Sequence, residues 1–259
     1  MNPRERDIYV GYLPLPPRHA RLLRVLVPAM LWTLVALAGL SAWNLRAPGP
    51  AVWDDATPRQ WTGALFAHPY PHLVTTDESG AVRTLLVVEQ GKFGAQRRLE
   101  AHDGARVTLS GWLLERDGRR IIELEPDAAA ITPTPGSTPG STLTPGEPVV
   151  APGVLPLGEA SFQGEIVDLK CFLGAMKPGD GRAHKACATL CIRNGIPPML
   201  VAPRSDGSLD YILLTDSAGR SARALVLGHI ADPVTVRGVL SRRADLLWLA
   251  IDDRSITPR

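Results

Sequence analysis

The stretch Asp103–Thr132, DGARVTLSGWLLERDGRRIIELEPDAAAIT, decides the fold. Two apolar, alternating runs, Val107–Arg116 and Arg119–Pro126, flank the dipeptide Asp117–Gly118. An Asp-Gly pair between such runs is a strong signal for a tight β-hairpin, because both turn residues must take a left-handed backbone. The same order returns at the end of the chain as ADPVTVRGVLSRRADLLWLAIDDRSIT, residues 231–257. Both copies carry Val-x-[Leu/Val]-x-Gly-x-Leu, then a hairpin, then an apolar strand, then Ile-Thr.

Working backwards from each copy, the resemblance extends. AVRTLLVVEQGKFGAQRRL (81–99) matches LDYILLTDSAGRSARAL (209–225) in order, and GALFAHPYPHLVT (63–75) matches GEIVDLKCFLG (164–174). Strand, strand pair, short helix, hairpin is the order of the OB-fold, a five-stranded Greek-key barrel. The expected class is therefore mainly β: an N-terminal transmembrane helix followed by two OB-like five-stranded barrels, arranged as a tandem duplication. The barrels are expected over residues 53–132 and 161–259. Between them, residues 133–160 are rich in Pro, Gly, Ser and Thr; such a composition cannot bury a core and reads as a linker.

Upstream, residues 1–24 are polar and basic, and residues 25–45 (VLVPAMLWTLVALAGLSAWNL) hold no charge. That run is long enough to cross a bilayer and too long for the apolar part of a cleaved leader. Pro28 is expected within the first turn, where a missing amide costs little. Arginines before the span outnumber those just after it, so the positive-inside rule puts the tail in the cytoplasm. A single-pass protein of the bacterial inner membrane with a periplasmic bulk is the expectation. Lys plus Arg exceeds Asp plus Glu by only 28 to 26, and the soluble part has no basic run. Nucleic acid is therefore not expected as a partner; the inner membrane and a membrane or periplasmic protein complex are.

The second half differs from the first by an insertion that holds all three cysteines. MKPGDGR (176–182) reads as loop and residues 182–193 as a helix, closed by Asn194–Gly195, with Ile196 and Pro197–Pro198 behind the cap. On that helix His184, Cys187 and Cys191 stand at i, i+3 and i+7, within an arc of about 60°. Cys171 lies one loop upstream and Asp168 three residues before it. One imidazole and three thiolates suit zinc, copper(I) or an iron centre, with Asp168 as a further candidate ligand. Lys170, Lys177, Arg182 and Lys185 are the expected counter-charges. The competing reading is a disulfide from Cys171 to Cys187 or Cys191 in a purely structural scaffold, as extracytoplasmic thiols commonly form. A thiol redox protein is the third, although a helix C-terminus beside Cys191 should raise its pKa. His68 and His72, in HPYPH, read as a surface loop, and Trp61, Trp112 and Trp248 as core. Asp252–Asp253 reads as a solvated turn. No Ser-His-Asp order, P-loop or carboxylate pair supports an enzyme.

Two resemblances accompany these readings. Gly-x-Ile-Val-Asp-x-x-Cys, His-x-x-Cys-Ala-x-x-Cys-Ile and Gly-Ile-Pro-Pro, over residues 164–198, resemble a module of bacterial exported and membrane-anchored proteins to which no activity is assigned. The module implies kinship and no reaction. The layout of tail, anchor and extracytoplasmic OB-like barrel is similar to that of the haem chaperone of cytochrome c maturation. That family's His-x3-Tyr haem motif has no counterpart here, so the resemblance covers architecture alone.

Overall fold

A computed structural model describes residues 15–44, 51–77, 79–135 and 152–259. It divides into two compact units, Met1–Pro48 and Gly49–Arg259. The first contains α1 (Pro17–Asn44), one apolar helix of 28 residues. At 1.5 Å per residue it is about 42 Å long, enough to cross a bilayer, and it fits an anchor or a signal sequence equally. The helix starts earlier than the apolar run, because the basic residues 18–24 continue it. Pro28 consequently lies in the interior rather than the first turn. A proline there removes one backbone hydrogen bond, which membrane helices tolerate. The first 14 residues of the expected tail lie outside the described residues, as do residues 45–50.

The second unit is mainly β. Its first sheet is built from β1 (Ala51–Phe66), β2 (His72–Thr76), β3 (Val82–Glu89), β4 (Arg106–Arg116), β5 (Arg119–Leu124) and the short β6 (Ile131–Pro133). The pairings run β1-β2-β3-β5-β4, and β4 returns to β1, closing a five-stranded ring with β6 on its edge. The second sheet uses β7 (Val154–Asp168), β8 (Pro198–Pro203), β9 (Leu209–Asp216), β10 (Pro233–Arg243), β11 (Leu246–Ile251) and β12 (Ile256–Pro258). It closes in the same order, β7-β8-β9-β11-β10-β7. In each ring the third and fifth strands pair in parallel, and a one-turn helix joins the third strand to the fourth: α2 (Gln96–Leu99) and α4 (Arg223–Val226). Strand order and helix position are those of the OB-fold.

Local chemistry accounts for these elements. Asp117 and Gly118 both have positive φ and join β4 to β5 through a two-residue turn. The glycine shared by the two hairpin motifs has a packing role. A Cβ on Gly111 would lie 2.2 Å from the Glu123 carbonyl oxygen, and one on Gly238 would lie 2.2 Å from that of Ala250. Only glycine lets the fourth strand coil this closely over the fifth. The expected linker needs one correction. Its residues 136–151 lie outside the described residues, but β7 begins at Val154, where composition indicates a linker. Residues 154–160 are mostly exposed and pair with β10 along one edge, so backbone bonding rather than burial makes them a strand.

Each barrel fills its own interior, one around Leu65, Leu99 and Leu109, the other around Ile166, Leu200 and Ile212. A third cluster belongs to neither alone. Tyr70, Leu86, Leu114 and Ile121 from the first barrel pack with Val167, Phe172, Met199, Tyr211 and Trp248 from the second. Tyr70, from the HPYPH loop, enters the second barrel, where its hydroxyl donates to the Leu214 carbonyl at 2.6 Å and accepts from the Ala222 amide at 3.0 Å. Burial pushes its pKa up to about 12. Because both backbone partners are buried, Tyr70→Phe leaves two polar groups unsatisfied. The expected destabilisation is about 1–3 kcal/mol, measured by chemical denaturation of the full chain in detergent.

The HPYPH loop is thus not wholly a surface feature. His68 is exposed, but His72 is buried, stacked on Phe66 and tilted against Trp248. Among the tryptophans expected in the core, Trp248 is fully buried, while Trp61 and Trp112 are half-buried. Asp252 and Asp253 are exposed, and Asp252 accepts the Arg254 amide in a turn.

Candidate metal centre

The cysteines lie in the connection between β7 and β8. The corresponding connection in the first barrel is the short HPYPH loop between β1 and β2. Strand β7 ends at Asp168, whose Oδ1 accepts the Cys171 amide at 2.9 Å and starts a turn. The chain then makes one π-helical turn, Cys171–Ala175. It continues as a loop in which Gly179 lies against the Cys171 backbone: a Cβ there would approach the Cys171 carbonyl oxygen to 2.6 Å. The Gly181 amide donates to Glu165 Oε1 at 2.6 Å and ties the loop to β7. Helix α3 (Lys185–Arg193) follows and brings the loop back over the turn.

The helix is shorter at its start than sequence indicates. His184 is its N-cap rather than a residue of its first turn, since the Gly181–Lys185 stretch closes as tight turns, with the His184 amide donating to the Gly181 carbonyl. The C-terminus is as expected. Gly195 has a φ of +99°, its amide donates to Ile192 and the Ile196 amide to Cys191, and Ile196 is buried. That is a helix stop secured by a left-handed glycine and an apolar contact.

The sulfurs of Cys171, Cys187 and Cys191 all lie within 4.8 Å of one another. Cys171 and Cys191 are buried and Cys187 is half-buried; all three are free thiols. A second group overlaps the first at Cys171: the ligating atoms of Asp168, Cys171 and His184 also lie within 4.8 Å. His184 Nε2 and Asp168 Oδ2 are 3.0 Å apart, and both residues are buried. The Asp168 carboxylate is therefore used at both oxygens, one by the Cys171 amide and one by the imidazole. Asp168 orients the groups around it, which is the part a carboxylate plays behind a metal-binding histidine.

The thiols do not titrate alike. Cys171 is pushed far up, first because its S–H donates to Cys191 and then by burial and the Asp168 carboxylate. Cys191 is shifted down, because it accepts that hydrogen bond and lies near the Lys92 ammonium. Burial and the Asp168 carboxylate oppose that shift without reversing it, so Cys191 moves in the direction opposite to the one expected of it. The counter-charge also differs from expectation. Lys92, from the loop after β3 in the first barrel, places its Nζ 2.6 Å from Cys187 Sγ. Lys185 instead pairs with Asp232, and Arg182 lies 4.0 Å from the same carboxylate. Lys170 points into the first barrel, donating to the carbonyls of Glu89 and Gly91 at 2.8 and 2.9 Å and pairing with buried Glu123 at 3.2 Å. Sequence reading missed Lys92 and Glu123, since neither stands near a cysteine in the chain.

The Gly94 amide donates to the Asn194 carbonyl just past α3, and a Cβ on Gly94 would lie 2.2 Å from the Gly195 oxygen. The cysteine connection thus rests on the loop that carries Lys92. Thiolate and imidazole donors gathered in this way can hold a soft or borderline metal ion.

No family model matches the chain, and a comparison with curated proteins found no match. One solved structure that is similar is a deletion mutant of the single-stranded DNA-binding protein from Thermus aquaticus, at 14% identity over 82% of this chain and 89% of that one, with a TM-score of 0.21. On that finding the exclusion of nucleic acid is withdrawn. The exclusion rested on the lack of a basic run, and linear spacing is a poor guide to surface charge. Arg119, Arg204 and Arg242, from three separate strands or turns, line one cavity of about 680 Å³ together with Asp117, Asp210 and Asp245. At that TM-score the likeness assigns no ligand to this chain.

Proposed function

We propose that the chain is a membrane-anchored, extracytoplasmic protein that holds a metal ion at Cys171, Cys187 and Cys191, with His184 as a further ligand. It would serve a redox or metalloprotein assembly system as an accessory subunit. The carrying observation is the convergence of three sulfurs, two of them buried, beside an imidazole held by a buried carboxylate. Zinc, copper(I) and an iron centre are the candidates for this donor set. Asp168 would fix the His184 ring, and the Lys92 ammonium would offset thiolate charge on the Cys187 side. Helix α1 supplies the anchor, and the arginines before it favour a cytoplasmic N-terminus.

Full-length protein purified anaerobically in detergent is expected to contain, or to take up from zinc, copper(I) or iron(II) solutions, about one metal ion per chain. Protein that is metal-free and takes up none of the three would reject the reading. Intact-mass analysis after alkylation separates it from the disulfide scaffold. Three modifiable thiols on metal removal support ligands, and one supports a staple.

A further inference from the structure

The groups gathered at the metal centre are not equally open to solution, and the difference fixes where a metal can pass. Cys171, Cys191 and His184 are 5%, 1% and 3% exposed, and Asp168 is fully buried. Cys171 and Cys191 belong to the core that the two barrels share, whereas Cys187 packs against that core and is half-buried. Gly179 lies against the Cys171 backbone, and the bond from the Gly181 amide to Glu165 holds this loop down. Cys187 is thus the one member of the set that a second molecule can reach.

The surroundings of Cys187 select that molecule. Beside it on α3, Ala186 and Leu190 are exposed, and both are apolar. Lys185, at the start of the helix, is paired with Asp232. The charge over the sulfur comes from the first barrel, where the Lys92 Nζ lies 2.6 Å from Cys187 Sγ. Lys92 is itself half-buried, and the residue after it, Phe93, is 53% exposed. Among the described residues no carboxylate pairs with Lys92. An unneutralised ammonium beside a soft donor attracts an anion that is itself a soft ligand. A thiolate meets both requirements, while a carboxylate meets only the first.

We propose that the site exchanges its metal with a thiolate of another molecule through Cys187, and that Lys92 steers the exchange. The inference rests on the metal-binding reading above and adds the route. The incoming thiolate is drawn to the Lys92 ammonium, and its sulfur forms a bond to the metal. The bond from Cys187 to the metal then breaks, and the displaced thiolate stays on the same ammonium. One metal–sulfur bond forms, one breaks and no electron is transferred. Cys171 and Cys191 hold the metal during this step, and the mixed complex opens it to further ligands that complete the transfer.

The test uses the full chain in detergent, kept anaerobic. In metal-free protein, limiting N-ethylmaleimide followed by peptide mass mapping is expected to label Cys187 at least about tenfold ahead of Cys171 and Cys191. Protein loaded with zinc(II), or with copper(I) where zinc is not taken up, is then mixed with a chromophoric chelator. The transfer rate should rise in proportion to added glutathione, and S-methylglutathione should leave it unchanged. A Cys-x-x-Cys peptide in place of glutathione distinguishes the sources. A higher rate per thiol marks a protein donor, an equal or lower one a small thiol, and either supports the exchange. Lys92→Met should cut the glutathione slope at least about threefold at low salt, with the gap closing near about 1 M salt. Lys92→Arg should keep most of the slope. Bound metal is measured in each variant before mixing, so the slope is read per loaded site. A rate independent of glutathione, an equal effect of S-methylglutathione, or buried cysteines labelled as fast as Cys187 would overturn the route and leave metal binding in place. So would an unaltered slope in Lys92→Met at low salt. Protein that takes up no metal before mixing would remove the underlying reading as well.

Discussion

Lys170→Met is expected to destabilise the β unit by about 3–5 kcal/mol, the range for removing one partner of a buried ion pair. Lys170 and Glu123 are 4% and 5% exposed at their side chains and 3.2 Å apart. The ammonium also satisfies the carbonyls of Glu89 and Gly91. Methionine fills the volume but leaves a buried carboxylate without a counter-charge and two carbonyls without a donor. Denaturation of the single variant, of Glu123→Gln and of the double variant apportions the effect. The double variant should recover part of the loss, because the uncompensated charge is gone. Recovery stays incomplete, because both carbonyls remain unsatisfied. An effect below about 1 kcal/mol for Lys170→Met would mean the pair is open to water and carries little. The consequence for function is direct. Lys170 is adjacent to Cys171, so this pair fixes the start of the thiol turn onto the loop that carries Lys92.

The second large effect concerns the metal. Cys191→Ser should lower the affinity by well over about 100-fold, since a hydroxyl replaces a soft thiolate at the centre of the cluster. Asp168→Asn should lower it by about 10–100-fold, the usual cost of losing a carboxylate behind a ligating histidine. Competition with a chromophoric chelator measures both. Affinity should also fall as pH is lowered, because binding must displace the proton that Cys171 holds well above the ordinary thiol range. An Asp168→Asn protein that binds as tightly as the parent would remove His184 from the ligand set and leave a three-sulfur site.

Much of the architecture was legible in the chain because it rests on local rules. Alternation marked the strands, Asp117–Gly118 marked the hairpin, and Gly195 followed by two prolines marked the end of α3. The helix start was not legible. Gly181 and Asp180 favour turns as readily as they favour a helix entry, and the tertiary bond from the Gly181 amide to Glu165, with the local bond from the His184 amide to the Gly181 carbonyl, chose the turn. His72 was misplaced for a similar reason: a His-Pro-Tyr-Pro-His segment is loop by composition, and nothing local announces that a second barrel covers it. The outer part of β7 was missed because its residues are exposed, so no burial pattern marks it.

The sequence by itself determined the apolar helix, the two barrels, their shared strand order and the gathering of cysteines and one histidine on a single insertion. Each follows from periodicity or spacing within a few tens of residues. Only the tertiary structure decided what surrounds the thiols. Lys92 meets Cys187 across 95 residues of chain, and Tyr70 meets Leu214 across 144. It also decided that the barrels share one core and that Asp168 is spent on His184 and Cys171. The physical reason is that charge pairing and burial depend on which surfaces are packed together, and no local pattern encodes a contact whose two halves lie in different barrels.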